Sequence, residues 1–589
     1  MLVRTFARSI LTLAVVINFG VGRTALIAQQ SPNDVPAITI RTNTRLVVVD
    51  VVVTDKKGQP VSGLKADNFT VEENGKKQKI AFFVPPGAAP SVKQEPLPPG
   101  VLSNHPEHVG PATGGVVTVL LLDAANSPFK DQSYARTQMM KYAAEQGQSG
   151  HSIAVLGLTD QVRVLQQFTS DPKVLLAAIK NIRPQEQILQ SAGPAPESHG
   201  VATADIGGGG AAVSSALASA QLAAQQFADM QIGYNLERRT LITIDAMKAL
   251  ARILGGLPGR KNVVWLTASL PFDLVPEDRN ISEAELLADL PGEGRQRSVQ
   301  VNAAGSLAAE SRQLHGQEIR EAESQLASAN IAIYPVDVTG LMSGMESSAT
   351  QQGSVYADTA MSDRAISTLS AQQQSQGTMR EIAAQTGGKA YINQNEIKDG
   401  IALAFSDEKA SYSLGYYAEN KKWDGKFRSL KVKLDQGDTQ VRYRKGYFAV
   451  DPGPTKNSNL EHDVAAALET GAPATQVSFM AQAKPTDPGK MRVVFLVDAH
   501  SVTAEDTSGG KRINVTMYAS LYGANGKSMG TRSTKVDHTF DTATYQQVLD
   551  KGLMVPLDME MPSGAQQLRA AVLDNKTGFI GTANGALGQ

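Results

Sequence analysis

The chain has 589 residues, roughly four times the length of a typical single domain, so several domains are expected. Its 56 basic and 57 acidic residues leave a formal charge of −1, which gives no overall field to attract nucleic acid or an acidic membrane surface. The sequence contains no cysteine, and this excludes disulfides, thiolate-bound metals and cysteine nucleophiles.

Residues 1–28 have the pattern of a secretory signal peptide. Arg4 and Arg8 precede an apolar stretch over 10–21, and cleavage is expected after Ala28. The apolar stretch is shorter than the roughly 20 residues that span a bilayer, so we expect no transmembrane anchor once the signal is removed. The sequence therefore predicts an exported protein that is periplasmic, on the cell surface or extracellular.

A β module is predicted next, over 38–84. The Val-rich sequence of 45–54 favours a packed strand. Asn74 and Gly75 lie between two strand-like runs and are typical of a hairpin turn. Residues 85–115 are rich in proline and are predicted to form a linker.

From 116 to 408 the pattern changes to strands that alternate with helices. Residues 116–123 are almost all apolar, as expected of a central parallel strand. The runs 151–159 and 162–168 are joined by too short a turn for a helical crossover, so they are predicted to pair antiparallel. Segment 184–229 is interpreted as an insertion that leads into an Ala-rich helix. The expected fold is a doubly wound α/β sheet with one antiparallel edge.

Further β-structure is expected after this region. Residues 409–450 are predicted to be a β-strand extension, 451–475 a linker, and 476–589 a C-terminal β-sandwich. Because 38–84 and 411–449 flank the α/β region closely, we expect them to pair into one split β-sandwich. The fold class is therefore multidomain, α/β plus all-β.

Several segments are similar to sequences of one bacterial family. They are 117–136, 158–171, 249–273, 332–341, 380–393, 411–417 and 441–449. Their order resembles that of the von Willebrand factor A domain, and the local motifs resemble the VWFA-related subgroup common in acidobacterial genomes. The resemblance spans about 38–450 and implies a Rossmann-like sheet flanked by β-sandwich modules.

The resemblance also implies a metal-ion-dependent adhesion site at the carboxyl ends of the strands, with an Asp-x-Ser-x-Ser loop as its first part. In this chain the loop reads Asp123-Ala124-Ala125-Asn126-Ser127. Asp123 and Ser127 match the pattern and are the candidate ligands of Mg²⁺ or another divalent cation, whereas Ala125 replaces a hydroxyl. The site is interpreted as degenerate, because Mg²⁺ requires near-ideal octahedral oxygen coordination.

The other two parts of that site are displaced. The loop after Thr267 has no aspartate before Asp273, and the threonine loop falls in the insertion, where Thr203 is the candidate. In the alternative interpretation the site has decayed, and Asp123 ends a central strand and caps the residues that follow. Ligands can still bind at this edge, because loops at the carboxyl ends of an open α/β sheet are common binding positions.

Three other motifs have structural interpretations. The sequence His105-Pro106-Glu107-His108 is expected to be a solvated loop, because proline disfavours a helix that would place both histidines on one face. Gly523-Ala524-Asn525-Gly526-Lys527-Ser528 is interpreted as a hairpin turn rather than a phosphate-binding loop. Arg442, Arg444 and Lys445 are expected on the wet face of a strand.

Together these observations favour an exported, non-enzymatic protein that acts in protein binding, adhesion or scaffolding. Its expected partner is a protein or a component of the cell envelope. The sequence has no Gly-x-Ser-x-Gly elbow and no ordered triad spacing, which disfavours an enzyme. Two alternatives stay open: an envelope-associated hydrolase and a metal-independent assembly factor.

Overall fold

The computed structural model describes residues 46–88, 97–110, 117–145, 152–184, 210–271, 303–340, 357–394, 396–435, 437, 439–450, 453 and 459–587. The predicted signal peptide, Thr203 and Asp273 lie outside these residues.

The strands of the described residues are numbered in chain order. They are β1 (Leu46–Asp55), β2 (Phe69–Glu73), β3 (Lys76–Gln78), β4 (Ile80–Val84), β5 (Val101–Ser103), β6 (Val117–Asp123), β7 (Ile153–Leu158), β8 (Val162–Thr169), β9 (Lys261–Thr267), β10 (Ile331–Asp337), β11 (Ser411–Tyr417), β12 (Phe427–Leu434), β13 (Thr439–Arg442), β14 (Gly446–Phe448), β15 (Phe479–Pro485), β16 (Lys490–Val497), β17 (Ala504–Thr507), β18 (Gly510–Gly523), β19 (Ser528–Phe540), β20 (Leu553–Glu560), β21 (Ala565–Asp574) and β22 (Ile580–Ala586).

The α-helices of the same residues are α1 (Pro106–Val109), α2 (Phe129–Glu145), α3 (Pro172–Asn181), α4 (Gly210–Leu254), α5 (Ala303–Ser328), α6 (Ala357–Thr386), α7 (Ile397–Ser406), α8 (Leu460–Glu469) and α9 (Thr542–Lys551). None of them has an apolar run long enough to cross a bilayer.

The central sheet has the strand order β10-β9-β6-β7-β8. Its first four strands are parallel, and β8 runs antiparallel to β7, so the predicted antiparallel edge is confirmed. Every residue of β6, β9 and β10 is buried, because helices cover both faces. Beyond the five strands, Tyr391 forms an isolated parallel bridge with Val336.

Alternate residues of β6 belong to two different hydrophobic cores. Val119 and Leu121 pack against α4, α5 and α6, whereas Leu120 and Leu122 pack against α2, α3 and α7 on the other face. This is the period-2 alternation of a strand in a sheet that is buried on both sides. The fold of the region is thus a mixed, mostly parallel α/β sheet between two helical layers.

A β-sandwich is built from strands on both sides of the α/β region. One sheet has the order β13-β1-β11-β4 and the other β14-β12-β2-β3. Strand β1 pairs antiparallel with β11, from Leu46 opposite Tyr417 to Val52 opposite Ser411. The pairing that we expected between the two flanking segments is therefore observed.

The hairpin between β2 and β3 has the turn that its sequence indicates. Asn74 has φ 48° and Gly75 has φ 77°, and a two-residue hairpin turn of the common type requires positive φ at both positions. The turn also contacts β12 of the same sheet, because Oδ1 of Asn74 accepts a hydrogen bond from the backbone N–H of Ser429 at 2.9 Å.

The C-terminal region contains two further sheets around one apolar core. They have the orders β20-β16-β15-β5 and β17-β18-β21-β22, with β19 paired to β18. Of these strands, β5 comes from the segment that we expected to be a linker. A run of three residues is too short to show a period of two in the sequence.

Asn104 ties this segment to the C-terminal region. Its side-chain amide donates to the carbonyls of Ala474 at 2.6 Å and Val477 at 2.7 Å, and its oxygen accepts from the N–H of Phe479 at 2.8 Å. Three satisfied hydrogen bonds allow this polar side chain to be fully buried.

The second expected linker, 451–475, also differs in the structure. Its described part contains α8, whose Val464, Ala467 and Leu468 pack against Ala571 and Leu573 of β21. The helix is amphipathic, and the apolar face finds its partner on the sandwich rather than in a core of its own.

Substitution by alanine is expected to have opposite effects at two glycines near the end of α6. A Cβ on Gly388 would lie 1.9 Å from the carbonyl oxygen of Ile333 in β10, whereas a Cβ on Gly377 meets nothing within 4 Å. We expect Gly388→Ala to destabilise the chain by about 2 kcal/mol or more, because backbone must move, and Gly377→Ala to stabilise it by about 0.5–1 kcal/mol. Urea unfolding followed by circular dichroism measures both, and equal effects would contradict the packing described.

Candidate functional site

The carboxyl ends of three neighbouring strands place polar side chains at one edge of the central sheet. Asp123 ends β6, Thr267 ends β9 and Asp337 ends β10. All three side chains are buried. This edge is where an open α/β sheet usually binds ligands.

Asp123 is the centre of this edge, and N–H donors engage both of its oxygens. Oδ1 accepts from the backbone N–H of Asn126 at 2.9 Å. Oδ2 accepts from the side-chain amide of Asn126 and from the indole N–H of Trp265, each at 2.9 Å. The carboxylate thus caps its own loop, as the alternative interpretation of the sequence proposed.

Ser127, the second candidate ligand, is also occupied. Its Oγ accepts a hydrogen bond at 2.9 Å from the backbone N–H of Ala268, in the loop after β9. Ala125, between the two candidates, packs into the hydrophobic core under the sheet. The side chains of this loop therefore hold neighbouring loops together.

Arg239 of α4 completes the site, and the sequence did not indicate it. Its Nε donates to Oδ1 of Asn126 at 2.9 Å, and its Nη2 donates to Oγ of Ser269 at 2.7 Å. Asn126 also donates to Thr243 of the same helix at 3.0 Å. Asn126 therefore connects a carboxylate on one side with a guanidinium on the other. No local pattern marks such a pair, because the two residues are 113 positions apart.

Charge and burial act in opposite directions on these two groups. Burial raises the pKa of Asp123, and hydrogen bonds from Asn126 and Trp265 lower it. Burial lowers the pKa of Arg239, and the charge of Asp123 raises it. Three N–H donors and a nearby guanidinium oppose the effect of burial on Asp123, and one amide bridges the carboxyl group and the arginine.

The residues present do not fit a divalent cation. Both oxygens of Asp123 already accept hydrogen bonds, Ser127 is engaged with Ala268, and the nearest positive charge is provided by Arg239. Within the described ranges, no three His, Asp or Glu side chains form a group that could hold a metal ion. Mg²⁺ needs several free oxygen ligands in octahedral geometry, so the interpretation of Asp123 and Ser127 as its ligands finds no support in the geometry.

Asp337, at the end of β10, is satisfied in the same way. Its Oδ1 accepts from the backbone N–H of Thr339 at 2.9 Å and from the Thr339 hydroxyl at 2.6 Å. Its Oδ2 accepts from the side-chain amide of Gln376 at 3.1 Å. The second carboxylate of this edge therefore orders its own loop as well.

The histidine motif differs from the expected solvated loop. Pro106 begins the one-turn helix α1, which is possible because the first turn of a helix needs no N–H from that position. His105 is buried, and His108 Nδ1 lies 2.9 Å from the hydroxyl of Ser103. A hydrogen bond with His105 lowers the pKa of Glu107 to about 2. These side chains pack at the boundary of β5.

The basic residues at the end of β13 and directly after it also differ from expectation. Arg442 lies against Asp407 and Arg444 is buried, and only Lys445 is largely exposed. Arg444 donates to the carbonyl of Ala327 at 3.1 Å and to that of Val48 at 2.8 Å. They join the split sandwich to the α/β region rather than facing water.

The expected turn at 523–528 is present between β18 and β19. Gly526 has φ 70°, and its N–H donates to the carbonyl of Gly523 at 3.0 Å. Because a strand follows rather than a helix, the sequence has no helix N-terminus with which to bind phosphate.

No family model and no curated protein matches the chain. Similar solved structures include a von Willebrand factor type A protein from Catenulispora acidiphila, at 9% identity and a TM-score of 0.19, covering 93% of this chain and 74% of that one. Another is an aerotolerance-related membrane protein from Bacteroides fragilis, at 13% identity and a TM-score of 0.22, covering 50% of this chain and 100% of that one. A third is proximal thread matrix protein 1 of the mussel byssus, at 8% identity and a TM-score of 0.20, covering 50% of this chain and 48% of that one. Likenesses this distant support no statement about activity.

The hydrogen bond from Trp265 predicts a measurable coupling. Trp265→Phe removes one buried donor to Asp123, and we expect it to cost about 1–3 kcal/mol. In an Asp123→Asn background the same change should cost less, because the neutral amide oxygen is a weaker acceptor for the indole N–H than a carboxylate oxygen. A double-mutant cycle by calorimetry measures the difference, and an equal cost in both backgrounds would contradict the bond.

Proposed function

We propose that the protein is an exported, non-enzymatic binding or scaffolding protein whose α/β region is a von Willebrand A-like domain. Its partner meets the carboxyl edge of the central sheet, and no divalent cation takes part. The observation that carries this proposal is the saturation of Asp123 by Asn126 and Trp265 beside the charge of Arg239.

The domain assignment is supported by the order and direction of the strands. The first strand, β6, is central, the second and third form the antiparallel edge, and β9 and β10 follow on the other side. The sequence motif that resembles the family's metal loop begins at Asp123, at the carboxyl end of that first strand.

Binding without a metal is supported by the hydrogen bonds of this edge. A cation would have to displace N–H donors from Asp123, and the released indole and amide groups would be left buried without acceptors. Such groups cost about 1–3 kcal/mol each, in addition to the dehydration of the ion. The protein therefore keeps the loop ordered with its own side chains.

A binding face is supported by what surrounds the site. Phe129, at the start of α2 and two residues beyond Ser127, is 53% exposed, and Pro128 and Lys130 beside it are also exposed. Aromatic residues are enriched at protein interfaces, so this exposed ring beside an ordered loop is a candidate contact position. The partner is proposed to be a protein or another envelope component.

An exported location is supported by the sequence of the first 28 residues. A non-enzymatic role is supported by the composition of the carboxyl edge, where the described polar groups are engaged in fixing loops. An envelope-associated hydrolase is the alternative function, and it has no specific observation in its favour.

Metal titration separates the proposed site from a metal-dependent one. We expect no binding heat when Mg²⁺, Mn²⁺ or Ca²⁺ is titrated into the full chain, and the same thermal midpoint with and without EDTA. The comparison variant is Asp123→Asn, which should have a lower midpoint in both buffers. A saturable heat in the wild type that Asp123→Asn abolishes would contradict metal-independent binding.

Photocrosslinking tests the binding face itself. With p-benzoylphenylalanine in place of Phe129, we expect a discrete crosslinked product in cells of the source organism, unchanged by EDTA during irradiation. The matched control carries the same group in place of Met554, which is 42% exposed on the C-terminal sandwich and should give no such product. Equal products from both positions, or none from position 129, would contradict the assignment of the face.

A further inference from the structure

The boundary between the split sandwich and the α/β region contains a buried cluster of charged residues. Arg260 and Lys261 come from the start of β9, Arg444 follows β13, and Asp50 lies on β1. Each of the four is more than nine-tenths buried. We call this group the joint cluster.

The joint cluster has more positive than negative charge. Asp50 is the carboxylate whose charge acts on all three cations, and its distance to Arg260 Nη1 is 3.7 Å. The neighbouring carboxylate, Asp407, is paired with Arg442. Asp407 also acts on Arg260, so the joint cluster and Arg442 place four cations against two carboxylates. Buried charge without a counterion is costly.

The arginines of the joint cluster cannot lose their charge in a protein. Lys261 can, and burial lowers its pKa to about 8. Neutralising Lys261 alone still leaves two guanidinium groups against Asp50. The remaining excess of positive charge favours a group of negative charge from outside the chain.

A small cavity lies inside the joint cluster. Its volume is about 10 Å³, and its polar lining comes from Asp50, Arg260, Asn330, Thr386 and Arg444. That is about the space that one water molecule needs. Arg444 is 8% exposed. Among the described residues, none accepts a hydrogen bond from its Nε.

We propose that this cavity binds a single small anion, chloride, which accepts from Arg444 and balances the joint cluster. Chloride is only slightly larger than water, whereas phosphate and carboxylate groups exceed the cavity. A water molecule could accept the Arg444 hydrogen bond but would leave the charge excess in place. Asp50 lies on the lining and repels the ion, whereas the guanidinium groups of Arg260 and Arg444 on the same lining attract it.

Chloride would then link two parts of the fold. Arg444 already connects β1 and the end of α5 through the carbonyls of Val48 and Ala327, and Arg260 donates to the carbonyl of Gly387 beyond α6 at 2.9 Å. An ion held between these two side chains stabilises the native arrangement of both regions, because it binds the folded chain and not the unfolded one.

The experiment measures the thermal midpoint of the full chain by calorimetry while sodium gluconate is replaced by sodium chloride at constant ionic strength. We expect the midpoint to rise with the logarithm of chloride concentration. Bromide should act like chloride, and gluconate is too large to enter. The same midpoint in chloride and gluconate would overturn the proposal.

Variants distinguish the cavity from general salt effects. Arg444→Met removes a guanidinium that lines the cavity and should abolish most of the chloride-dependent rise. The control, Arg492→Met, removes an exposed arginine of the C-terminal sandwich and should keep it. A rise that persists in Arg444→Met would contradict the site.

A second measurement does not depend on how the variants fold. Crystals of the wild-type chain grown in sodium bromide should show an anomalous scattering peak between Arg260 and Arg444. A water molecule there, without anomalous signal, would refute the proposal even if the midpoint responds to salt.

Discussion

The antiparallel pairing of β1 with β11 is the constraint on which the rest of the structure depends. It brings together residues such as Asp50 and Ser413, which are hydrogen-bonded although they are 363 positions apart. The α/β region between them must therefore begin and end at one place, and the amino ends of its strands lie beside the sandwich. Strand β9 starts at that boundary. Arg260, which precedes the strand, and Lys261, its first residue, are therefore buried there.

The carboxyl edge of the same sheet shows how side chains of the chain itself can order a loop. Asn126 has two roles: it satisfies Asp123, and it connects the loop to another element, here Arg239 of α4. The guanidinium of Arg239 belongs to the chain and cannot dissociate. The loop is thus held by groups of the protein itself.

The sequence was sufficient for features that depend on local pattern. The Val-rich β1, the apolar β6, the Asn74-Gly75 turn and the antiparallel edge could be predicted because strand period, turn chemistry and loop length are local properties. What it could not supply depends on distant contacts. The basic residues over 442–445 alternate as on the exposed face of a strand. No neighbouring residue in the sequence indicates that the carbonyls of Val48 and Ala327 accept hydrogen bonds from Arg444.

The same limit explains the candidate site. Asp123 and Ser127 were found from a motif, but their roles depend on Trp265 and Ala268 from another strand and on Arg239 from a distant helix. Pro106 illustrates the reverse error, since a general rule against proline in helices was applied where the first turn tolerates it. Position within an element decides such cases, and boundaries are the least certain part of a sequence pattern.

The pairing of β5 with β15 has a consequence for biosynthesis. Residues 101–103 leave the ribosome early, yet the strand against which they hydrogen-bond begins at Phe479, so most of the chain is made before this edge can close. The α/β region can assemble meanwhile, since its own strands are contiguous in the order of translation. A nascent or truncated chain that ends before Phe479 would thus carry a bare apolar strand, Val101 and Leu102 included, which is a natural recognition signal for chaperones and proteases.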